Sequence, residues 1–285
     1  MNANDVQNSI TLAVNHIAKN ASQLNKQNEN DYYENGLLMC GKCHTPKQCR
    51  GFLFGVERTV TCICKCRAEE LQAEREREEH EKRLARVQEL RKAGFPEREL
   101  QSQTFSHDDG ADERTMRAMK NFVEHYDDFR RMHKGLLLYG NSGSGKTFAA
   151  ACVVNALIDK GVACLMTNFG RVFNTLWGTE QKQAYLDGFN QFELLVLDDL
   201  GAERRTEFAQ ELVFQIIDSR CRSGLPTIIT TNLPIETIKK PQTITETRIY
   251  DRILQMCHPV EVTHASRRRK KVAEGFAATN KLLGL

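Results

Sequence analysis

Eight consecutive residues, Gly140-Asn141-Ser142-Gly143-Ser144-Gly145-Lys146-Thr147, have the form G-x-x-x-x-G-K-[ST]. Glycines at these positions let main-chain N–H groups converge on phosphate oxygens with no Cβ in the way. Lys146 would reach the β- and γ-phosphates of a nucleotide, and the Thr147 hydroxyl would ligate Mg2+. A second reactive pair, Asp198-Asp199, ends the apolar run Phe192-Glu193-Leu194-Leu195-Val196-Leu197. Acids at the end of a buried strand are costly unless paired or metal-bound, so their placement points to a site. Asp198 would hold Mg2+ through water, and Asp199 would orient or deprotonate an attacking water. Asn232, after Pro226-Thr227-Ile228-Ile229-Thr230-Thr231, would help place that water; an ordinary turn asparagine is the alternative.

A different chemistry is concentrated near the N-terminus. Six of the ten cysteines lie between Cys40 and Cys66, and Cys40-Gly41-Lys42-Cys43 has the spacing of two thiolates on one tight turn. A second thiolate group, Cys62-Ile63-Cys64-Lys65-Cys66, would complete a tetrahedral Zn2+ site. The preferred ligands are Cys40, Cys43, Cys64 and Cys66, with Cys62 and Cys49 as alternates and His44 also within the stretch. Cys152, Cys164, Cys221 and Cys257 are scattered and read as small core residues.

These groups need elements to hold them. Gly135-Leu136-Leu137-Leu138-Tyr139 is an apolar strand entering the glycine loop, and the alanine-rich run Phe148 to Ile158 is a buried helix. Strand, loop and helix in that order put a positive helix end beneath the phosphates. Val162 to Thr167 and Pro226 to Thr230 read as further buried strands. Phe52 and its neighbours pair with Arg58 to Thr61 as a hairpin between the two cysteine groups. Residues 67 to 93 are almost wholly charged, with Glu78/Lys82 four apart, and read as a solvated linker helix ended by Gly94 and Pro96. Val6, Ile10, Val14 and Ile17 predict a short amphipathic helix, which fits either packing on its neighbour or docking a partner. Between Asn168 and Asn190 stand Phe169, Arg171, Phe173, Trp177, Lys182 and Tyr185. This mixture fits either aromatics packed inward or a surface that stacks bases of single-stranded DNA.

The chain has 285 residues, 40% of them hydrophobic, enough for one sizeable domain and a smaller one. No apolar run is long enough to span a bilayer, and the N-terminus has no basic-then-apolar secretion pattern, so a cytoplasmic protein without a membrane partner is expected. The formal net charge of +3 does not by itself imply nucleic acid, but Arg267-Arg268-Arg269-Lys270-Lys271 concentrates basic charge near the end.

The order of these motifs resembles the DnaC/IstB branch of AAA+ ATPases over roughly residues 100 to 270. The resemblance is carried by Gly135 to Gly140, Asp198-Asp199-Leu200-Gly201-Ala202-Glu203 and Leu225 to Asn232. It looks nearest to replicative helicase loaders, and the preceding cysteine module is similar to that of zinc-containing loaders. The resemblance implies an α/β P-loop domain with a parallel five-stranded sheet in the order 5-1-4-3-2. Together with the patterns above, the chain is expected to divide into an amphipathic helix and connector (1–35), a zinc-binding module (36–67), a charged linker helix (68–98), an AAA+ ATPase domain (99–271) and a C-terminal tail (272–285). The resemblance implies ATP-dependent delivery of a hexameric replicative DNA helicase to single-stranded DNA, with self-association through the ATPase domain; a transposition helper acting on duplex DNA is the alternative. Asp251-Arg252-Ile253 is similar to the family's arginine-finger box, implying that Arg252 reaches the γ-phosphate bound by a neighbouring subunit. Ser266-Arg267-Arg268 is similar to the family's second-sensor segment, implying that Arg268 contacts nucleotide in cis.

Overall fold

The computed structural model describes residues 28–53, 56–202, 206–263, 276, 279–280 and 282–284. The apolar stripe of Val6 to Ile17, the basic run and Arg268 lie outside them. The chain forms two compact units, residues 1–83 and 84–285.

The first unit is built from two hairpins. Strand β1 (Tyr32–Glu34) pairs antiparallel with β2 (Leu37–Met39). The turn between them is Asn35-Gly36, both left-handed at φ 49° and 75°, the conformation that a two-residue hairpin loop requires. This hairpin straddles the expected boundary between residues 35 and 36, so strand β1 stands where a connector was expected. Strand β3 (Gln48–Leu53) pairs with β4 (Val56–Thr61), whose residues are all exposed. Helix α1 (Lys65–Gly94) begins in this unit. The only ion pair buried on both sides among the described residues joins Lys47 to Asp31 at 2.6 Å, each side chain at most 3% exposed. Burial alone would raise the Asp31 carboxyl. Lys47 and the N–H groups of Asn28 and Gly41 outweigh it and hold the group at about 2.

The second unit opens with the end of α1, whose Val87 and Leu90 pack on the core. Helices α2 (Glu113–Glu124) and α3 (Tyr126–Arg131) follow, where the apolar pattern predicts one continuous helix; they break at His125. Then come β5 (Gly135–Tyr139), α4 (Lys146–Asp159), β6 (Cys164–Asn168), α5 (Phe169–Trp177), α6 (Lys182–Gly188), β7 (Leu194–Leu200), α7 (Glu207–Ser223), β8 (Thr227–Thr231), α8 (Ile235–Lys239), α9 (Ile244–Met256) and β9 (Cys257–Glu261). The five strands lie in the order β6-β7-β8-β5-β9, and every ladder is parallel. Counted within this domain the order is 5-1-4-3-2, the AAA+ arrangement.

Near-continuous apolar strands are what a sheet covered on both faces demands. Leu136 and Leu138 face one core with α2 and α4, while Leu137 faces the other with α5, α7 and α9. Ala149, Ala150 and Ala151 are fully covered and let α4 press close to the sheet. Helix α9 starts in a capping box between Thr243 and Glu246, which fixes where its later turns fall.

One buried cation was not foreseen. Arg220 on α7 is 1% exposed. Its guanidinium donates to the carbonyls of Phe189, Phe192 and Pro226 and to Thr227 Oγ1. Four acceptors tie the ends of β7 and β8 to the helix above them, and burial lowers the guanidinium to about 10. It remains a cation at neutral pH.

Candidate functional site

Strand β5, the glycine loop and α4 form one continuous turn of chain. Gly140 is left-handed at φ 147°, and a Cβ there would sit 2.3 Å from the carbonyl oxygen of Val262. Only glycine permits the loop to leave the sheet at that point. The loop opens on a cavity of about 750 Å3 lined by Ser142, Gly143, Gly145, Lys146 and Thr147. Asp198, Asp199 and Asn232 line it beside the loop. The volume suits a nucleotide.

The parallel register brings the reactive groups together, because β5, β7 and β8 all deliver their C-terminal ends to this edge. The Lys146 ammonium donates to the carbonyls of Gly140 (3.0 Å) and Asn141 (2.9 Å) and to Asn232 Oδ1 (2.8 Å). Thr147 Oγ1 lies 3.0 Å from both oxygens of Asp198. A buried hydroxyl joins the two acids: Thr230 Oγ1 donates to Asp198 Oδ1 at 2.5 Å and accepts the Asp199 N–H at 2.9 Å. At this point β7 is irregular against β8, and Asp199 is left-handed at φ 59°. The bend turns the second acid toward the cavity instead of back along the sheet. Burial raises the Asp198 carboxyl and Asp199 adds to the rise, while the Thr230 and Thr147 hydroxyls and Lys146 oppose it. A threonine hydroxyl and a carboxylate in contact are the hard oxygen donors that magnesium takes, so these residues fit that ion.

The far wall of the cavity was not visible in the spacing of motifs. Pro96, Glu97, Leu100, Gln103 and His107 line it, and Arg171 also lines the cavity. Asn155, 1% exposed on α4, holds that wall in place: its Nδ2 donates to the carbonyls of Leu100 and Gln103, both at 2.9 Å. The helix that carries Lys146 thus also anchors the opposite side.

Arg252 is not among the residues lining the cavity. It sits on α9 with its side chain 43% exposed, paired with Asp218 of α7.

In the first unit the Sγ atoms of Cys40, Cys43, Cys64 and Cys66 lie within 4.8 Å of one another. Zinc–thiolate bonds of about 2.3 Å in a tetrahedron place sulfurs about 3.8 Å apart. The Cys40–Cys66 and Cys64–Cys66 separations are both 3.6 Å. The donor set therefore fits zinc. Cys49, exposed on β3, and Cys62, bonded to the Pro46 carbonyl, stand outside this group. The sulfurs are in electrostatic conflict without a cation: the Thr45 hydroxyl draws the Cys43 thiol down, and its bond to Cys43 pushes Cys66 up. A divalent cation would stabilise all four as thiolates.

On the surface of the second unit, Trp177 is 83% exposed and meets Phe208 edge-on, with centroids 6.2 Å apart. The Lys182 ammonium lies 5.7 Å from the Phe208 centroid. Phe169, by contrast, is buried, and Phe173 and Tyr185 pack against the core. The aromatic segment therefore divides between side chains packed inward and Trp177 at the surface. Among the described residues no helix is long and apolar enough to cross a membrane.

Residues 62–275 match the family model described as "IstB-like ATP binding protein". The replicative helicase loader DnaI of Bacillus subtilis (strain 168) is 27% identical over 200 residues, covering 64% of this chain and 63% of that protein. The replicative helicase loader DnaC of Escherichia coli (strain K12) is 25% identical over 131 residues, covering 44% and 53%. The chain thus spans less than two thirds of the length of either relative. Among solved structures, a crystal structure of DnaI superimposes with a TM-score of 0.52 at 28% identity, covering 62% of this chain and 98% of that one.

Proposed function

This chain belongs to the family of IstB-like ATP-binding proteins, and from that premise we propose that it is an ATPase that loads a hexameric replicative helicase onto single-stranded DNA. The observation that carries this reading is the division of the catalytic groups. Lys146, Thr147, Asp198, Asp199 and Asn232 share one cavity, whereas Arg252 stands apart from it on an exposed helix. A cavity that gathers these groups and leaves Arg252 outside suits a triphosphate shared between two copies of the chain.

In this mechanism Lys146 leaves its carbonyl partners to meet the β- and γ-phosphates, and the loop N–H groups surround their oxygens. Thr147 and Asp198 would hold magnesium, which would supply neutralising charge at the phosphates. The Asp199 carboxylate, with Asn232 beside it, orients the attacking water. Arg252 of a neighbouring copy neutralises the charge that develops on the γ-phosphate. Arg268 is assigned to the nucleotide in cis. The second acid is Asp199 where many AAA+ proteins carry glutamate, and the shorter reach suits the slow hydrolysis of a switch. ATP then favours an assembled spiral that holds the helicase ring open, and hydrolysis releases it. The cysteine module, with zinc on Cys40, Cys43, Cys64 and Cys66, grips the helicase.

Trp177, Phe208 and Lys182 are assigned to the DNA strand, as a stacking platform with a cation beside it. Trp177→Ala is expected to weaken single-stranded DNA binding about tenfold while leaving ATP affinity unchanged, measured by fluorescence anisotropy with a labelled oligonucleotide. Unaltered DNA affinity would remove that assignment.

The proposal as a whole is tested by co-purification with the replicative helicase, with and without ATP, using the full chain and a chain lacking residues 1–70. ATP-dependent association that is lost on the deletion supports it. Absence of any helicase complex, together with preference for duplex DNA, would favour the transposition helper instead.

A further inference from the structure

Helices α7 and α9 are joined by a short ladder of side chains. Arg248 lies over the Phe214 ring at 3.8 Å. One turn later on each helix, Arg252 Nε meets Asp218 Oδ1 at 3.1 Å. The other carboxylate oxygen, Asp218 Oδ2, is bonded to Arg222. Asp218 is only 6% exposed, whereas the Arg222 side chain is 77% exposed. On the far side of the Arg252 guanidinium, Nη1 donates to Gln255 Oε1 at 3.0 Å. These two contacts engage Nε and Nη1 of a side chain that is 43% exposed.

A long side chain on a half-exposed helix loses considerable rotamer freedom when it must meet a phosphate on another molecule. Here that ordering is already done. A nearly buried carboxylate cannot follow a mobile partner, and Arg222 pins its second oxygen, so the carboxylate is a fixed point rather than a loose surface anion. Surface ion pairs of the ordinary kind contribute little. This pair differs because one partner is buried and the guanidinium is held at two points. The Phe214 stack beneath Arg248 fixes the same two helices one turn earlier.

We infer that Asp218 and Gln255 form a two-point clamp that presets Arg252 for the triphosphate held by a neighbouring copy of this chain, with Arg222 fixing the carboxylate. The inference rests on the reading of Arg252 as the trans-acting guanidinium. Asp218 and Gln255 are positioning residues, because they act through Arg252 and neither lines the cavity. A clamp of this kind affects kcat in the assembled protein and leaves ATP affinity alone, since the finger belongs to the neighbour's site.

The test compares Arg252→Ala, Asp218→Asn and Gln255→Ala in the full chain by ATP hydrolysis, under conditions where light scattering detects ATP-dependent self-association of the wild type. Arg252→Ala should lower kcat about 1,000-fold, as loss of an arginine finger does. Asp218→Asn should lower it about 100-fold at unchanged KM, the usual result of a misplaced catalytic group. Gln255→Ala, at an exposed position that should not disturb folding, should give a smaller fall of the same kind. A one-to-one mixture of Asp218→Asn with Asp199→Asn, which binds ATP but does not hydrolyse it, should regain activity that neither has alone, because the second variant lends an intact clamp.

Wild-type rates in both clamp variants where Arg252→Ala is inactive would overturn the clamp. So would an Asp218→Asn defect that mixing does not relieve. If Asp218→Asn fails to fold, Gln255→Ala decides alone. A wild-type rate in Arg252→Ala is a separate result: it would sink the shared-site reading itself.

Discussion

Lys146→Ala is expected to reduce ATP hydrolysis by about 1,000-fold, the upper range for removing one preorganised donor, and to abolish detectable binding of a fluorescent ATP analogue. The lysine is 5% exposed and is held by the carbonyls of Gly140 and Asn141 and by Asn232. Glu97, Glu99, Asp109, Asp198 and Asp199 also line the cavity, whose other cation is Arg171. Without the ammonium, a highly anionic triphosphate enters a region dominated by carboxylates. The fold should survive, because the ammonium partners face the cavity where water can replace it. Circular dichroism and the melting curve check that point. Hydrolysis above a tenth of the wild-type rate would mean that the reacting phosphates lie elsewhere.

The second large effect concerns metal. Stripping zinc with a chelator under reducing conditions, or replacing Cys64 with serine, is expected to unfold the first unit while leaving ATP binding by the second intact. Among its described residues only Leu38, Cys40, Cys64 and Lys47 are buried as whole residues, and two of those four are candidate zinc ligands. Such a core cannot offset the conformational entropy of two hairpins. Structural zinc contributes on the order of 10 kcal/mol to folding a module of this kind. Losing it also frees the Asp31–Lys47 pair, because the turn carrying Gly41 is held by Asp31 through its N–H. Elemental analysis should return one zinc per chain, and hydrogen exchange should show protection lost from residues 28–64 alone. Unchanged exchange after zinc removal would refute the metal's structural role.

The parts of this molecule that were legible in the sequence are those encoded by local spacing. The glycine loop announces its own turn, and an apolar run ending in two acids announces a buried strand delivering them. Those features led to the groups that face the cavity, whereas the sheet order was implied by the family resemblance. The cysteine spacing likewise marked the group that converges, although six thiols in 27 positions left a choice. Geometry separates them: Cys49 belongs to the exposed hairpin, whereas Cys64 and Cys66 flank the start of α1.

What spacing cannot encode is a bond between distant residues. Nothing around Thr230 distinguishes it from Thr231, yet its hydroxyl links both acids, and this follows only from the register of β7 on β8. Asn155 looks like a polar interruption in an apolar helix, yet it anchors the opposite wall. Arg220 and Asp218 lie two residues apart on α7, and both are buried. The Asn35-Gly36 hairpin was detectable, since Asn-Gly between apolar residues is a turn signal. Its strands are only three residues each, which masked it.

The left-handed backbone at Asp199 has a consequence for how the chain tolerates change. A side chain at that φ costs on the order of 1 kcal/mol, which glycine would recover. Substitutions that favour thermal robustness and those that favour turnover therefore pull in opposite directions at this position. The carboxylate persists only while the rest of the sheet has stability to spare.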